Sequence, residues 1–548
     1  MNLKDSIKEF FKGDIEDDAE TLKRYSHDAS LLEVKPEIVL YPKDVEDIKS
    51  IVKFATEKKK EGKHISITAR AAGTCMSGGS LNDSIILDTQ RYMSGVISID
   101  HKIAKVLPGT FYRDFEKQTL SKGLIMPAYT ASKSICAIGG MVMNNAGGEK
   151  TLAYGKTENY VREMKIVLAD GEEYTIVPLT KAELTAKKRK RSFEGKLYKQ
   201  ISDLIKENEE MIASAKPNVS KNSAGYYLWN VWDEDGKFNL NKLLVGSQGT
   251  LGILTEVTFD LVKVKQYSKL FVLFLKDLKD IPEIVRIVSP FKPESIESYD
   301  NHTFNMAMKF LPDLIKQMKV KNFIKFALSF WPEVKMVFTG GLPKLVVLVE
   351  FASDSMADID DRMQKLQAEL APLKLRTHIS KSEQESQKYW TMRRESFNLL
   401  RKHVKGKRTA PFIDDFIVRP DRLPEFMPKL DSILSEYPDL IYTIAGHVGD
   451  GNFHIIPLMD MHNPKNKDII IDLSQRVYDL VLEHNGSITA EHNDGIIRTP
   501  FLTKMYGKEV VDLFQKTKDI FDPEGIFNPG KKVGGSFRYI EDHIAEEA

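Results

Sequence analysis

The sequence predicts an α+β protein of two or three domains, and three observations carry that reading. At 548 residues the chain is longer than one hydrophobic core usually serves. Over residues 36–261 short β-rich runs alternate with glycine-rich turns and helical stretches. Over residues 265–489 longer helices alternate with strands and hairpins, the pattern of a sheet with antiparallel hairpins and helices on one face.

The elements follow in order. "MNLKDSIKEFFKGDIEDD" is acidic and amphipathic, without the basic start and apolar run of a secretory signal. "ISITAR", "SIILDT", "MKIVLADGEEYTIV" and "KLLVGSQGTLGILTEVTFDLV" read as strands, with Asp170-Gly171 as a hairpin turn. The run "KKRKR" at 187–191 follows a helical segment and reads as a solvated face. "LFVLFLKD" and "KLVVLVEFAS" are further strands, the second followed by the helix "DIDDRMQKLQAELAPL". The tail "FLTKMYGKEVVDLFQKTKDIFDPEGIFNPGKK" is a helix stopped at Asp522-Pro523.

Composition excludes several classes. A net charge of +1 gives no reason to expect a nucleic-acid partner. Two cysteines, Cys75 and Cys136, cannot supply a disulfide framework or a four-cysteine iron–sulfur cluster, and they fit a reducing compartment. No window holds the roughly 18 apolar residues of a membrane span, so the expected location is cytoplasmic. The segment 306–338, "MAMKFLPDLIKQMKVKNFIKFALSFWPEVKMVF", interleaves lysines with large apolar residues. It reads as an amphipathic helix packed on its own domain and leaves peripheral contact with the inner face of a membrane open.

Three motifs carry chemistry. "TARAAGTCMSGGS", residues 68–80, follows a strand and offers glycines, hydroxyls and bare amides to a diphosphate, yet it is not the Gly-x-Gly-x-x-Gly fingerprint of a nicotinamide fold. "AIGGMVMNNAGGEKTLAYG", residues 137–155, carries two Gly-Gly pairs around Asn144 and Asn145. Two such loops can line a groove for a long cofactor, and flavin would suit a chain without redox cysteines. In "YTIAGHVGDGNFHIIPL", residues 442–458, two short β runs flank a Gly-Asp-Gly-Asn turn. A loop over 449–452 would set His447 opposite His454, roughly 5 Å apart on one face. Two imidazoles so placed either share a metal ion or each satisfy their own hydrogen bonds.

With these motifs, "ITARAAGTCMSGGSLNDSIILD", "CAIGGMVMNNAGGEKTLAYGKTENYVREMKIVLADGE", "GSQGTLGILTEVTF", "GHVGDGNFH", "AEHNDG" and "FNPGK" stand in a familiar order. The chain resembles the FAD-linked oxidase family, which includes D-lactate dehydrogenase, the glycolate oxidase flavin subunit and D-2-hydroxyglutarate dehydrogenase. The resemblance implies a two-part FAD-binding domain of vanillyl-alcohol-oxidase type plus an α+β cap domain with an antiparallel sheet. The expected boundaries are a helical segment at 1–35, the FAD domain at 36–264, a cap with the metal site at 265–498, and a segment at 499–548 that returns to the FAD domain.

The same resemblance assigns residues. Arg70, Ala72, Gly73, Thr74, Met76, Ser77 and Gly78 would hold the FAD diphosphate, and Gly139, Gly140, Asn144, Ala146 and Gly147 would run along the cofactor, with Tyr154, Gly155, Ile253 and Asn528 completing the site. The first loop has no histidine, so FAD is expected to be non-covalent. His447, His454 and Glu491 would hold a divalent metal, zinc or manganese. His492 would be the general base and Arg393 the cation for the substrate carboxylate. The implied reaction takes a 2-hydroxy acid to the 2-oxo acid, with the metal chelated by the substrate and hydride passing to flavin N5. Phe397 stands where 2-hydroxyglutarate-specific members carry threonine, and "PFIDDF" lacks an evident equivalent of their lysine. That favours a small monocarboxylate, D-lactate first, with glycolate, D-2-hydroxyglutarate and a non-catalytic flavin-binding subunit as alternatives. "AEHND" also departs from the common Gly-Glu-His-Gly around the base. Electrons would leave to an acceptor protein or a quinone, and a homodimer is left open.

Overall fold

The computed structural model describes residues 3–546 apart from 302, 304–340, 404, 405 and 464, and leaves out the side chains of 395–403. The lysine-rich segment 306–338 therefore lies outside the described residues, as does the side chain of Phe397. Among the described residues no helix is long and apolar enough to cross a membrane.

The half expected to hold flavin, here the flavin side, is built on two sheets. Strands Ile38–Tyr41 and Ile85–Asp88 are buried along their whole length and pair in parallel, with Ile67–Arg70 parallel on the far side and Asp14–Glu16 antiparallel at the edge. Burial on both faces explains their near-continuous apolar sequences. Helix Val45–Lys60 makes the crossover; Asp44 caps it by accepting from the amides of Glu46 and Asp47, and Ile48, Ile51, Val52 and Ala55 form its buried stripe. The second sheet is antiparallel, in the order Val96–Asp100, Ile103–Val106, Ile253–Asp260, Val161–Val167, Glu173–Ile176. The expected turn at Asp170-Gly171 is there, with Gly171 at φ +71°. The C-terminal tail returns to the first sheet: the amide of Ile67 donates to Ile526 O at 2.7 Å, and the amide of Asn528 donates to Ile67 O at 2.9 Å.

The cap is an antiparallel sheet with the strand order Arg376–Ile379, Tyr267–Leu275, Leu345–Ser353, Ser295–Asp300, Ile441–His447, Asn452–Met459, Arg408–Thr409. Helices Ile281–Val288, Met356–Leu370, Leu423–Ser435 and Lys465–Glu483 share one core with Phe271, Leu273, Ile296, Val347, Val349, Phe453 and Ile455 of the strands. Side chains alternate along a strand. With Ile296 and Phe453 turned toward the helices, Glu297 and the pair Asn452 and His454 emerge on the opposite face. That alternation aims the polar residues at the flavin side.

Ionic contacts tie the halves together. Arg394, from helix Glu383–His403, pairs with Glu149 of the second glycine loop at 2.5 Å, and Lys150 pairs with Glu294 of the cap at 2.6 Å. Glu350 sits half-buried in strand Leu345–Ser353 beside this cluster. Burial, reinforced by Glu294 and Glu149 and opposed by Lys150, pushes its carboxyl up to about 7. A carboxyl with a raised folded-state pKa binds its proton more tightly when folded, so its contribution to stability falls as pH rises from 4.5 through about 7. Glu350→Gln is thus expected to raise Tm above pH 7 and to match the wild type below pH 4.5. Thermal melts across that range check it, and a difference independent of pH would count against it.

Candidate flavin and metal site

The first glycine loop leaves strand Ile67–Arg70 with Gly73 at φ +65° and Gly78 at φ +78°, conformations that side chains rarely adopt. Ala72, Gly73, Thr74 and Met76 are half-buried, while Ser77 and Gly78 are buried. Arg70 lies beneath the loop: its guanidinium donates to Tyr25 O at 3.1 Å and His27 O at 2.7 Å, and a Cβ on Gly73 would meet it at 2.4 Å. Its closest partners are thus the carbonyls of the N-terminal segment. The tail amide of Asn528 stitches the region, accepting from Thr68 Oγ1 at 2.7 Å and donating to Gly79 O at 2.9 Å and Gln248 O at 2.6 Å.

The second loop opens with the short helix Ile138–Asn144. Gly139 packs on Pro108, but a Cβ on Gly140 would meet no atom within 4 Å. Such an open glycine face on a buried helix fits a flat cofactor lying against it. Asn144 accepts from Gln248 Nε2 at 3.0 Å, Ala146 O accepts from Thr157, and Ile253 lies in the core beside Ile67 and Phe527, with its side chain committed there. Gly155, at φ +71°, packs on Asn159, and Tyr154 donates its hydroxyl to Glu294 of the cap at 2.7 Å. Both loops touch the segment that carries Glu491 and His492. Ser77 Oγ donates to His492 O at 3.2 Å, and a Cβ on Gly147 would lie 3.1 Å from Glu491 Oε1.

The hairpin bearing the histidines differs from its expected register. His447 pairs with Asn452, and Ala445 with His454, so the loop is 448–451, one residue earlier than expected. The left-handed position falls on Gly451, at φ +76°, where any side chain would strike Val418 O. His447 and His454 are therefore diagonal rather than directly opposite. The register shift is two residues, which preserves the face, and the rings still approach to 5.3 Å between centroids.

Each of three imidazoles is anchored through Nδ1 by a buried carboxylate. His447 meets Glu297 at 2.6 Å, His454 meets one oxygen of Asp414 at 3.0 Å, and His492 meets its other oxygen at 2.6 Å. Anchoring at Nδ1 fixes the ring and leaves Nε2 as the outward lone pair, the arrangement carboxylates impose on metal-binding histidines. His454 and His492 stack at 5.0 Å, and His447 Nε2 lies 3.3 Å from Glu491 Oε2. Donor atoms of Asp415, His454, Glu491 and His492 fall within 4.8 Å of one another. Asp415 is the least suitable of these as a ligand, because one of its oxygens already accepts from Thr489 Oγ1 and the amides of Ala490, Glu491 and His492, and the other from Asn452. It holds the loop, and His447, one of the expected ligands, stands outside this group and touches it through Glu491 Oε2.

Charge supports the same use. Burial alone would lower the His492 imidazole, but Asp414 and Asp415 outweigh it and raise it to about 9. Burial likewise opposes ionisation of Glu491, yet His447 and Lys221 hold it well below the usual carboxylate range. Around the imidazoles stand Glu297, Asp414, Asp415, Asp450 and Glu491, against the cations Arg393, Lys221 and Arg498, all buried. Buried Lys156 adds a further cation, and protons held on His447 and His492 complete the balance; a divalent cation at Nε2 would displace those protons and take their place. Arg393 pairs at 2.5 Å with Glu297, the same carboxylate that orients His447. It reaches the site through that residue rather than serving a surface pair.

Sequence reasoning missed Glu297, Asp414, Asp415, Lys221 and Lys156. Adjacent acids inside the apolar run "PFIDDFIV" were a usable signal, since buried carboxylates need partners. Lys156 gave none: it lies buried and donates to Asn222 O, Ser223 Oγ and Ala490 O, and burial lowers it to about 8.

Known proteins match most of the chain. Residues 36–176 match the FAD binding domain and residues 264–532 the C-terminal domain of FAD linked oxidases. The fold is that of 4-ethylphenol oxidase from Gulosibacter chungangensis, with a TM-score of 0.65 at 17% identity, covering 96% of this chain and 95% of that one. Fold and loops define a flavoprotein of vanillyl-alcohol-oxidase type. The chain is 27% identical over 531 residues to D-2-hydroxyglutarate dehydrogenase of Pseudomonas putida, covering 95% of this chain and 50% of that protein. It therefore spans about half the length of that relative. To D-lactate dehydrogenase of Archaeoglobus fulgidus it is 25% identical over 498 residues, covering 90% and 91%. The chain belongs to the FAD-linked oxidase family.

Proposed function

We propose that this protein oxidises a small D-2-hydroxy acid, D-lactate foremost, to the 2-oxo acid with non-covalent FAD and a divalent metal, zinc or manganese. The observation that carries the reading is the convergence of three Nδ1-anchored imidazoles and Glu491 directly against both glycine loops. When bound, FAD supplies a two-electron acceptor and the metal supplies Lewis acidity. His447, His454 and Glu491 would hold the metal. His492 would take the substrate hydroxyl proton at Nε2, while Asp414 on Nδ1 steadies the imidazolium that forms. Arg393 would orient the carboxylate, and the glycine loops would hold the cofactor through the residues described above.

The names of the relatives favour a second substrate, D-2-hydroxyglutarate. A second carboxylate needs a further cation; Arg394 and Lys150 are each paired with an acid, Glu149 and Glu294, as Arg393 is with Glu297, so pairing does not separate the two substrates. The electron acceptor would be a partner protein or a quinone. Anaerobic titration with D-lactate, glycolate and D-2-hydroxyglutarate, before and after chelation, tests the reading. The flavin should bleach with D-lactate most efficiently, stay yellow after chelation and bleach again when metal is returned. Colour that persists with every acid in the presence of metal would defeat it.

A further inference from the structure

Lys221 belongs to the connection between helix Glu209–Ala215 and the 3-10 turn Leu228–Asn230, on the flavin side of the molecule. Its side chain is 1% exposed. The ammonium has three donors and meets three acceptors from the other half: Glu491 Oε1 at 2.5 Å, Asp450 Oδ2 at 3.2 Å and Asn452 Oδ1 at 3.4 Å. Asp450 and Asn452 lie at the turn of the histidine hairpin, while Glu491 comes from a separate loop. The backbone behind the lysine is itself fixed: Ser223 N donates to Thr489 O at 2.9 Å, Gly225 N to Asp494 at 2.9 Å, and Lys156 grips Asn222 O and Ala490 O at 2.6 Å each.

We propose that Lys221 is a positioning residue for the metal site: it clamps the hairpin turn to Glu491 and, by occupying Oε1, turns Oε2 toward the imidazoles. The inference rests on the metal-dependent reading above. It makes retention of the ion depend on a residue contributed by the flavin side. An ammonium so close to a cation site has two effects of opposite sign. Through-space repulsion alone would weaken cation binding, so deleting the charge would tighten it. Positioning predicts that deletion weakens it, because a freed Glu491 adopts several orientations and the hairpin loses its tie.

The test is calorimetric titration of the FAD-loaded wild type and Lys221→Met with Zn2+ and Mn2+, alongside FAD absorbance. Lys221→Met should keep its flavin spectrum while the metal Kd rises roughly 10–100-fold, the usual cost of losing a group that orients a ligand. An unchanged or lower Kd overturns the proposal and leaves the function reading intact. Absence of metal binding by the wild type overturns the function reading and this inference with it. If Lys221→Met yields no folded protein, Lys221→Arg carries the test. It keeps the charge but cannot place it at the same three acceptors, so a raised Kd supports positioning and a wild-type Kd overturns it.

Discussion

His492→Gln is expected to slow anaerobic flavin reduction by roughly 10²–10⁴-fold, the usual worth of a positioned general base, while the metal stays bound with near wild-type affinity. Glutamine fills similar space and cannot take up the hydroxyl proton. The measurement is stopped-flow bleaching beside metal analysis of the same sample. His454 and His492 share one carboxylate and stack on each other, so the geometry sets them up almost symmetrically. Loss of the metal from His492→Gln would move this residue into the ligand set and sink its assignment as base.

Asp414→Asn should damage both functions at once. Asp414 is fully buried, and its two oxygens take two different imidazoles. An amide can accept from one ring, but its NH2 must then face the other ring's N–H, forcing that ring to flip or change tautomer. Metal affinity is expected to fall roughly 10–100-fold, with a slower flavin reduction that added metal does not fully restore. Affinity within about two-fold of wild type would show that Asp414 does not orient the ligands. Together the two variants separate the proton acceptor from the residue that aims it.

How much of this was legible follows from how far each interaction reaches along the chain. The Asp170-Gly171 turn and the strands in "ISITAR" and "SIILDT" are local patterns, and they stand where the sequence put them, whereas their parallel pairing was not legible. The two histidines could be paired by eye, but the register could not. Two glycines compete for the left-handed position in "GDGN", and the choice is made by Val418 O, packed against Gly451 from outside the hairpin. The supporting shell was out of reach for the same reason in stronger form. Glu297 lies 150 residues before His447, and Lys221 lies 270 before Glu491. No periodicity links such pairs. What could be read was a charge mismatch, acids within apolar runs, which signals a partner without naming it.

The tail amide of Asn528 has a consequence for how the protein is made. It joins Thr68 across 460 residues and also holds the carbonyls of Gly79 and Gln248. A ribosome adding roughly 5–20 residues per second needs roughly half a minute to a minute and a half to cover that interval. Throughout it the first glycine loop has emerged without its last tether. Tight cofactor capture is therefore a late event in biosynthesis, and nascent chains stalled before residue 528 should hold FAD far more weakly than released ones.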